Sequence, residues 1–497
     1  MNMIAELEQW IVEADIGSMQ LAMDNGWLSS EQLTQTYMNR IQKYDSKLRS
    51  VLALNPDALD IARELDEERG AKGSRGRLHG IPILLKDNIA TKDRMHTSAG
   101  ALALANSFAA ADAPLVRQLR LAGAVLLGKT NMTEWANFMA SGMWSGYSAR
   151  GGQTVNPYGA GDLFVGGSSS GSAAAVAANL AAAAIGTETD GSIIEPASQN
   201  MVVGIKPTVG LISRTGIIPI SHRQDTAGPI ARTVTDAAIL LGALTAIDTG
   251  DKAMLKSDRT PIHDYTPYLD MTYLKQARIG IPRFYYRRLD EERLAIMEEA
   301  IARLKQHGAT IIDNVMLPCE NAVWDHDLLA IEFKQGVNDY LSTMPVASDV
   351  SVRNLQDVIT FNNNHAADAL KYGQDVLEWS ESITLSVGDP AYLASVARTE
   401  ELARERGIDY ALKEHQLDAL MLPAMHDEQD PAAKAGYPLI TVPAGWSEKG
   451  CRHPNGFSTR GPFGIAFAGT AYSESTLIRL AYGFEQATKR RFPPDLD

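Results

Sequence analysis

The sequence GGSSSGSAAAVAA occupies residues 166–178 and joins a cluster of glycine and serine to an alanine-rich segment. Glycine lets the backbone approach a ligand closely, and the N–H groups that begin a helix attract negative charge. Residues 141–172 are rich in glycine and serine, and a loop of that length in a compact protein is usually functional. We therefore predict a functional loop followed by a helix over residues 172–184, although a flexible turn with an N-cap serine gives the same pattern.

Two other segments combine apolar and reactive residues. GIPILLKDN, at residues 80–88, predicts a buried strand over residues 81–85 that ends at Lys86. GTETDGSIIEP, at residues 186–196, places Ser192 directly after an Asp-Gly pair. A tight turn there can aim several backbone N–H groups at one point, as an oxyanion hole requires. Taken singly, each segment also has an ordinary explanation, a lysine whose stem covers apolar surface or a common Asp-Gly turn.

Helical and strand-like patterns alternate around these segments. Ser29 and Gln32 form a capping box before apolar residues spaced by four, which predicts a helix over residues 29–44. Pro114 begins a helix that ends before Gly123. This alternation predicts an α/β protein with helices around a largely buried sheet. The other elements that we predict are strands over 124–127, 202–217 and 439–444, and helices over 290–308, 395–415 and 474–488.

The composition is that of a soluble globular protein. Of the 497 residues, 45% are hydrophobic and 21% are charged, and the net charge is −14. An acidic surface disfavours nucleic acid and anionic membranes as partners, because both require basic patches. The most apolar stretch, residues 173–185, is too short to span a bilayer, and the N-terminus lacks the pattern of a signal peptide. We expect a cytoplasmic protein, or a secreted or periplasmic one if a signal peptide was removed, with its oligomeric state left open.

Metal and disulfide chemistry are not expected from the cysteines. The chain has two, Cys319 and Cys451, and neither belongs to a CxxC pair or a His/Cys cluster. Two free thiols in a reducing compartment are favoured over one disulfide. We therefore predict no metal site, and the chemistry considered below requires no organic cofactor.

Together the three segments resemble the amidase signature family. The resemblance covers nearly the whole chain and is densest over residues 80–236. It implies one α/β domain over residues 1–497, with a large mixed β-sheet sandwiched between α-helices. The sequence is most similar to those of bacterial peptide amidases in the blocks SARGGQT, GTETDGSI and QDTAGP. The other matching blocks are GKTNMTEWANF, GGQTVNP, GGSSSGSAAAVAA, GIKPTVGLISRTGIIPI, AGYPLITVPAG and GFEQAT.

The resemblance also implies a Lys–Ser–Ser triad. Lys86 matches the base, Ser168 matches a serine that the family holds on a cis peptide, and Ser192 matches the nucleophile. Ser168 would relay the proton between the other two groups. The oxyanion hole would consist of backbone N–H groups, with a looser match in the loop near one further serine; these residues are Thr189, Asp190, Gly191, Ser192 and Ser141.

Lys86 is chemically suited to this role only if it is buried. A serine hydroxyl needs a base to become a good nucleophile, and a neutral lysine can act as one. Its pKa must then fall from ~10.4 to roughly 7–8, which burial of a lysine can achieve. The apolar residues 81–85 provide such burial. Asp87 would oppose the change if it faced Lys86, but neighbours on a strand point to opposite faces.

Departures from the family favour uncharged substrates. Many members carry arginine two residues after the nucleophile, where this chain has Ile194. Its absence disfavours carboxylate substrates and the amidotransferase subunit that amidates transfer RNA. Met143, Trp144 and Tyr147 are candidates for an apolar pocket. We predict hydrolysis of small-molecule or peptide amides, namely C-terminal peptide amides or aryl and alkyl amides, with an aryl acylamidase or carbamate hydrolase as the alternative.

Three other interpretations remain open at this stage. GAVLLGKT, at residues 123–130, matches a phosphate-binding loop, but its interior is apolar and strand-like, where such a loop must stay irregular. Residues 167–171 spell G-x-S-x-G, which would make Ser169 the nucleophile with His426 or His453 as its base. A binding protein that has kept the fold without activity is the third, and it is disfavoured because all three triad positions are present.

Overall fold

The structure, a computed structural model, describes residues 3–256, 260–343, 352–425, 430–450 and 458–496. Within them, eleven strands form one mixed sheet in the order β1-β3-β2-β6-β8-β7-β12-β13-β11-β9-β10, and β4 pairs with β5 separately. The strands are β1 (Val51–Leu54), β2 (Pro82–Lys86), β3 (Val125–Thr130), β4 (Tyr147–Ser148), β5 (Gly152–Gln153), β6 (Ala183–Glu188), β7 (Val203–Lys206), β8 (Thr226–Ala231), β9 (Arg278–Ile281), β10 (Thr310–Asp313), β11 (Ala419–Pro423), β12 (Leu439–Ser447) and β13 (Gly461–Ala468).

Helices flank this sheet, as the resemblance implies. The α-helices are α1 (Met3–Trp10), α2 (Ile16–Asp24), α3 (Ser30–Leu48), α4 (Ala58–Lys72), α5 (Pro114–Leu121), α6 (Ser170–Ala177), α7 (Ile194–Gln199), α8 (Val234–Leu244), α9 (Glu291–Gln306), α10 (Asp327–Thr343), α11 (Leu355–Asn364), α12 (Ala366–Ala369), α13 (Asp375–Ser382), α14 (Pro390–Ala403), α15 (Asp409–Glu414), α16 (Asp430–Ala435) and α17 (Glu474–Thr488). The predicted α/β class with a large mixed sheet is confirmed. The capping box is also confirmed, because Ser29 and Gln32 bond each other's backbone N–H groups at the start of α3.

The strands that carry the site lie inside the sheet. β2 pairs in parallel with β3 on one side and with β6 on the other. Every residue of these three strands is buried, which explains their nearly continuous apolar sequences. Because β3 spans residues 125–130, the phosphate-loop interpretation is wrong: this segment is a paired strand. Lys129 donates hydrogen bonds to the carbonyl of Ile89 and, over 3.1 Å, to Thr97 Oγ1.

The predicted helix over residues 172–184 is wrong in its second half. Helix α6 ends at Ala177, and the central strand β6 begins at Ala183. Asn179 lies between them with a φ of +56°, a left-handed conformation that a helix cannot continue through. Alanine favours helix, but pairing of β6 with β2 and β8 satisfies the backbone of this buried segment and overrides that preference.

Two other predicted elements also differ from the structure. Of residues 202–217, only β7 is a regular strand. The helix predicted over residues 395–415 is divided into α14 and α15 by an irregular turn, in which Gly407 has non-helical backbone angles. The predictions for the late strand and the last helix are confirmed by β12 and α17.

Two further predictions concern the cysteines and membrane-spanning helices. Cys319 is a buried free thiol, and Cys451 lies outside the described residues. Among the described residues, the helices are all too short or too polar to cross a membrane.

Candidate active site

Lys86 is the last residue of β2, and its side chain is completely buried. Its Nζ donates hydrogen bonds to Ser168 Oγ at 2.8 Å, Ser169 Oγ at 3.0 Å and the carbonyl oxygen of Thr187 at 3.0 Å. Ser168 and Ser169 lie in the glycine- and serine-rich loop before α6, and Thr187 lies on the neighbouring strand β6. The strand pairing of β2 with β6 therefore delivers the amine to the serine loop.

Burial lowers the pKa of Lys86 to about 7, and the more distant carboxylates of Glu188 and Asp225 oppose this change. The carboxylate of the adjacent Asp87 bonds to other groups than the Lys86 amine. Its Oδ2 accepts hydrogen bonds from the hydroxyl of Ser98 and, at 3.0 Å, from the N–H of Gly100. The amine is therefore shielded from water, and its neutral form is well populated near pH 7.

Ser168 follows a cis peptide bond, Gly167–Ser168, as the resemblance implies. Its carbonyl accepts a hydrogen bond from the N–H of Thr133 at 3.1 Å. Gly167 has no room for a side chain, because a Cβ there would lie 2.5 Å from Thr133 Oγ1 and 3.1 Å from the Cβ of Ser145. The backbone of Gly167 and Ser168 is thus packed closely against Thr133 and Ser145.

Ser192 ends a tight turn, residues 189–192, which we call the nucleophile turn. Gly191 has a φ of +73°, which glycine adopts without strain. The carbonyl of Ser192 accepts a hydrogen bond from the N–H of Ser169 at 3.1 Å, so the turn is joined to the serine loop. In the part of the chain that the structure describes, the N–H groups of Gly191 and Ser192 donate to no protein acceptor. Such groups are what an oxyanion hole requires.

The segment before β8 supports the nucleophile turn through contacts that no sequence pattern predicted. Asp225 accepts hydrogen bonds from Thr189 Oγ1 at 2.5 Å and from the N–H groups of Ile220 and Ser221 at 2.8 and 2.9 Å. Gln224 Nε2 donates to the carbonyl of Thr189 at 3.3 Å. Burial raises the pKa of Asp225 to about 6. Both side chains belong to the QDTAGP block, which was the only signal in the sequence for this support.

Glu188 orders the other end of the turn. Its Oε2 accepts hydrogen bonds from the N–H groups of Ile193 and Ile194 at 2.6 and 3.0 Å. Burial raises the pKa of this carboxyl. Glu195, the next residue after Ile194, accepts from the N–H of Gly167 at 3.4 Å. These contacts fix the chain on both sides of Ser192.

Ser169 does not have the environment of an exposed nucleophile. Its hydroxyl donates to the carbonyl of Thr187 at 3.0 Å and accepts from the N–H of the same residue at 3.2 Å. In the described chain, no strand leads into residues 167–171, although a nucleophile elbow requires one. His426 and His453, the bases of that interpretation, lie outside the described residues.

Ser141 is exposed and bonds to a different part of the molecule from the triad. Its N–H and hydroxyl donate to the carboxylate of Asp375 at 3.1 and 2.6 Å. Tyr147 in the same loop packs edge-on against Tyr372, with ring centroids 5.0 Å apart, and Met143 is buried. The partners belong to α10–α14 and their connections, which we call the helical layer. The structure thus brings together Lys86, Ser168 and the nucleophile turn, and places Ser141 against this layer.

A sequence model of the amidase family matches residues 32–478. The chain belongs to the amidase family. It is 41% identical to a probable amidase of Arabidopsis thaliana, over 97% of this chain and 92% of that protein. This amidase is therefore a hydrolase that acts on amide C–N bonds.

Two crystal structures are similar to this amidase. The native peptide amidase from Stenotrophomonas maltophilia is 45% identical, with a TM-score of 0.88 over 98% of this chain and 99% of that one. An amidase family protein from Bacillus anthracis is 40% identical, with a TM-score of 0.91 over 99% of this chain and 94% of that one. The likeness extends over both halves of the amidase and includes the sheet that carries Lys86.

Proposed function

We propose that this amidase hydrolyses uncharged carboxamides, with Ser192 as nucleophile, Ser168 as proton relay and Lys86 as base. C-terminal peptide amides and aryl or alkyl amides are the substrate classes. The observation that carries the proposal is the hydrogen bond of 2.8 Å between a fully buried lysine amine and Ser168 Oγ. The 45% identity to a peptide amidase supports the choice of substrate.

The proposed reaction has two halves. Ser192 Oγ attacks the amide carbon while its proton passes to Ser168, whose own proton passes to the neutral Nζ of Lys86. The substrate oxygen becomes negative and faces backbone N–H groups of the nucleophile turn, residues 189–192. The protons then return along the same path to the leaving nitrogen, which departs as ammonia or an amine. Water attacks the acyl-enzyme by the same relay and regenerates Ser192.

The surroundings of the nucleophile support an uncharged substrate. Ile194 is fully buried among apolar residues, so the chain offers no cation at the position where many relatives carry arginine. An anionic substrate would lack a partner there. Aryl acylamides and carbamates are uncharged too, so they belong in the same substrate panel as the alternative.

Release of ammonia or amine from a panel of peptide amides, their free acids, anilides, simple amides and carbamates tests the proposal. We expect peptide amides to react and Ser192→Ala to lose at least ~10³-fold in kcat, because the acyl-enzyme cannot form. Ser172→Ala is the matched control, since Ser172 is a buried serine of α6 whose hydroxyl donates to the carbonyl of Ile185 at 3.2 Å.

A fluorophosphonate probe gives a second readout. It should label the wild type and Ser172→Ala but not Ser192→Ala. Turnover of peptide amides by Ser192→Ala at the wild-type rate would disprove the assignment of the nucleophile. Turnover of carbamates or anilides alone would show that the protein is an aryl acylamidase or carbamate hydrolase instead.

A further inference from the structure

The nucleophile turn has a second charged contact, separate from that with Asp225. Lys434, on α16, donates from Nζ to Asp190 Oδ2 at 2.6 Å and to Asp430 Oδ1 at 2.8 Å. The Lys434 and Asp190 side chains are 6% and 10% exposed, so this pair is held largely out of water. Lys434 and Asp190 are separated by 244 residues, and the contact therefore joins the late part of the chain to the turn that carries Ser192.

Asp190 occupies an unfavourable position for a carboxylate if it is left alone. It directly precedes Gly191 and Ser192, whose N–H groups would face the developing oxyanion. A negative charge beside that point raises the energy of the transition state, and the effect is strong where water is excluded. Lys434 supplies a compensating positive charge within hydrogen-bond distance.

Asp430 shares Lys434 with Asp190, whereas Lys206 and Glu188 are engaged elsewhere. Lys206 is buried and donates to the carbonyl of Tyr437 at 2.6 Å, and burial lowers its pKa. Glu188 caps the segment after Ser192, as described above. Burial by itself disfavours the ammonium of Lys434, but attraction to Asp190 and Asp430 outweighs it and raises the pKa of this lysine. Lys434 therefore remains charged throughout the working pH range.

We propose that Lys434 is a positioning residue for catalysis, which fixes the nucleophile turn through Asp190 and neutralises the charge of that carboxylate beside the oxyanion hole. The inference rests on the proposed function. Lys434 is assigned no contact with substrate or with the reacting hydroxyls. Its effect passes through Asp190 to the backbone of the turn.

Lys434→Met tests this role, because methionine keeps most of the volume and removes the charge. We expect kcat for a peptide amide to fall by about tenfold to a hundredfold, somewhat less than removal of a direct oxyanion donor. KM should stay within about twofold, because ground-state binding does not develop charge at this oxygen. Inhibition by a peptide aldehyde, which forms a tetrahedral adduct with the serine, should weaken by the same factor as kcat.

The double variant Asp190→Asn with Lys434→Met separates charge compensation from simple packing. Removing both charges leaves no carboxylate on the nucleophile turn, and Asp430, whose pKa burial raises to about 7, can accept a proton once Lys434 is gone. We therefore expect the double variant to regain most of the kcat that Lys434→Met loses. A double variant as slow as the single one would overturn the proposal. If Lys434→Met does not fold, Lys434→Gln removes the same charge, keeps a donor for Asp190, and carries the same expectation.

Arg283→Met is the matched control. Arg283 also bridges two carboxylates, Glu298 and Asp313, but it follows β9, near one edge of the sheet and six strands away from β6. This variant should keep the wild-type kcat, and thermal unfolding of all variants checks that each is folded. A wild type that hydrolyses no amide would refute the proposed function, whereas an active wild type with an equally active Lys434→Met would refute this inference alone.

Discussion

Lys86 is available as a neutral amine because its strand ends inside the protein. β2 carries the amine out of a sheet of apolar side chains and stops where Ser168 and Ser169 accept its hydrogen bonds. No carboxylate makes a hydrogen bond to Nζ among the described residues, so exclusion of water controls the charge of this group. The activity of the amidase should therefore report the titration of one amine.

We expect kcat/KM for an uncharged peptide amide to rise with pH. The base is the neutral form of Lys86, and its pKa of about 7 means that protonation removes the base at lower pH. The rate should fall about tenfold for each pH unit below 7 and level off above pH ~8. Measurement of kcat/KM from pH 5 to 9 checks this expectation, and a pH-independent rate would contradict it.

Lys129→Met is the control for this experiment. Lys129 is equally buried, and burial lowers its pKa to about 8, but its amine bonds to Ile89 and Thr97 rather than to a triad serine. The midpoint of the pH profile should be unchanged in this variant. A shift of the midpoint in Lys129→Met would show that the pH profile reports Lys129 and not Lys86.

At the residue scale, the sequence allowed prediction of groups that lie within recognisable blocks. Lys86, Ser168 and Ser192 lie in three such blocks, and the structure places the first in contact with the second. Contacts between distant parts of the chain left no such pattern. The pair formed by Lys434 and Asp190 depends on how α16 packs, and no periodicity or local motif encodes that.

At the scale of elements, α6 is packed unusually close to its neighbours. A Cβ on Gly171 would lie 2.3 Å from the carbonyl oxygen of Ser50 and 2.4 Å from that of Asn131. Both are backbone atoms and cannot move aside as a flexible side chain does. This close approach places Ser168 and Ser169, just before the helix, against β2.

Gly171→Ala should therefore destabilise the amidase by about 3 kcal/mol or more, or prevent its accumulation as folded protein. Gly70→Ala makes the same change inside α4, where no atom lies within 4 Å of the added methyl group. It should stabilise the protein by about 0.5–1 kcal/mol, because alanine favours helix over glycine. Urea unfolding of both variants decides the matter, and effects of equal size and sign would show that packing at Gly171 is looser than described.

Prediction of elements succeeded where local signals agreed with the tertiary structure. The cap at Ser29, the proline that begins α5 and the apolar run of β2 each match their surroundings. It failed for β6, whose alanines favour helix while the neighbouring strands impose an extended backbone. Burial between two strands is a property of the whole sheet, and residues 183–188 alone do not show it.

At the scale of the molecule, the sheet unites the two halves of the chain. β7 pairs with β8 on one side and with β12 on the other, so strands from both halves meet at this point. Glu474, at the start of α17, accepts a hydrogen bond from the N–H of Thr208 at 2.7 Å, and Lys206 bonds to Tyr437 across the same junction. The region of densest resemblance, residues 80–236, therefore depends on β12, from the late part of the chain, to complete its own core.

A fragment that ends at Gly250 contains the whole proposed triad but should be insoluble or inactive. Its strand β7 would become an edge with unpaired backbone groups and exposed apolar side chains. Co-expression with residues 251–497 should restore soluble protein and amide hydrolysis, as measured by gel filtration and ammonia release. A soluble, active fragment would contradict the dependence on β12.

The position of the helical layer has a consequence for how this amidase can diverge in sequence. It occupies the chain between β10 and β11 and contributes no strand to the large sheet among the described residues. It meets the loop around Ser141 and Tyr147 through Asp375 and Tyr372. Insertions or exchanges in this layer leave the pairing of β2 with β6 untouched. Natural selection, or a designer making chimaeras, can therefore vary this layer while inheriting the strands that carry Lys86 and Ser192 unchanged.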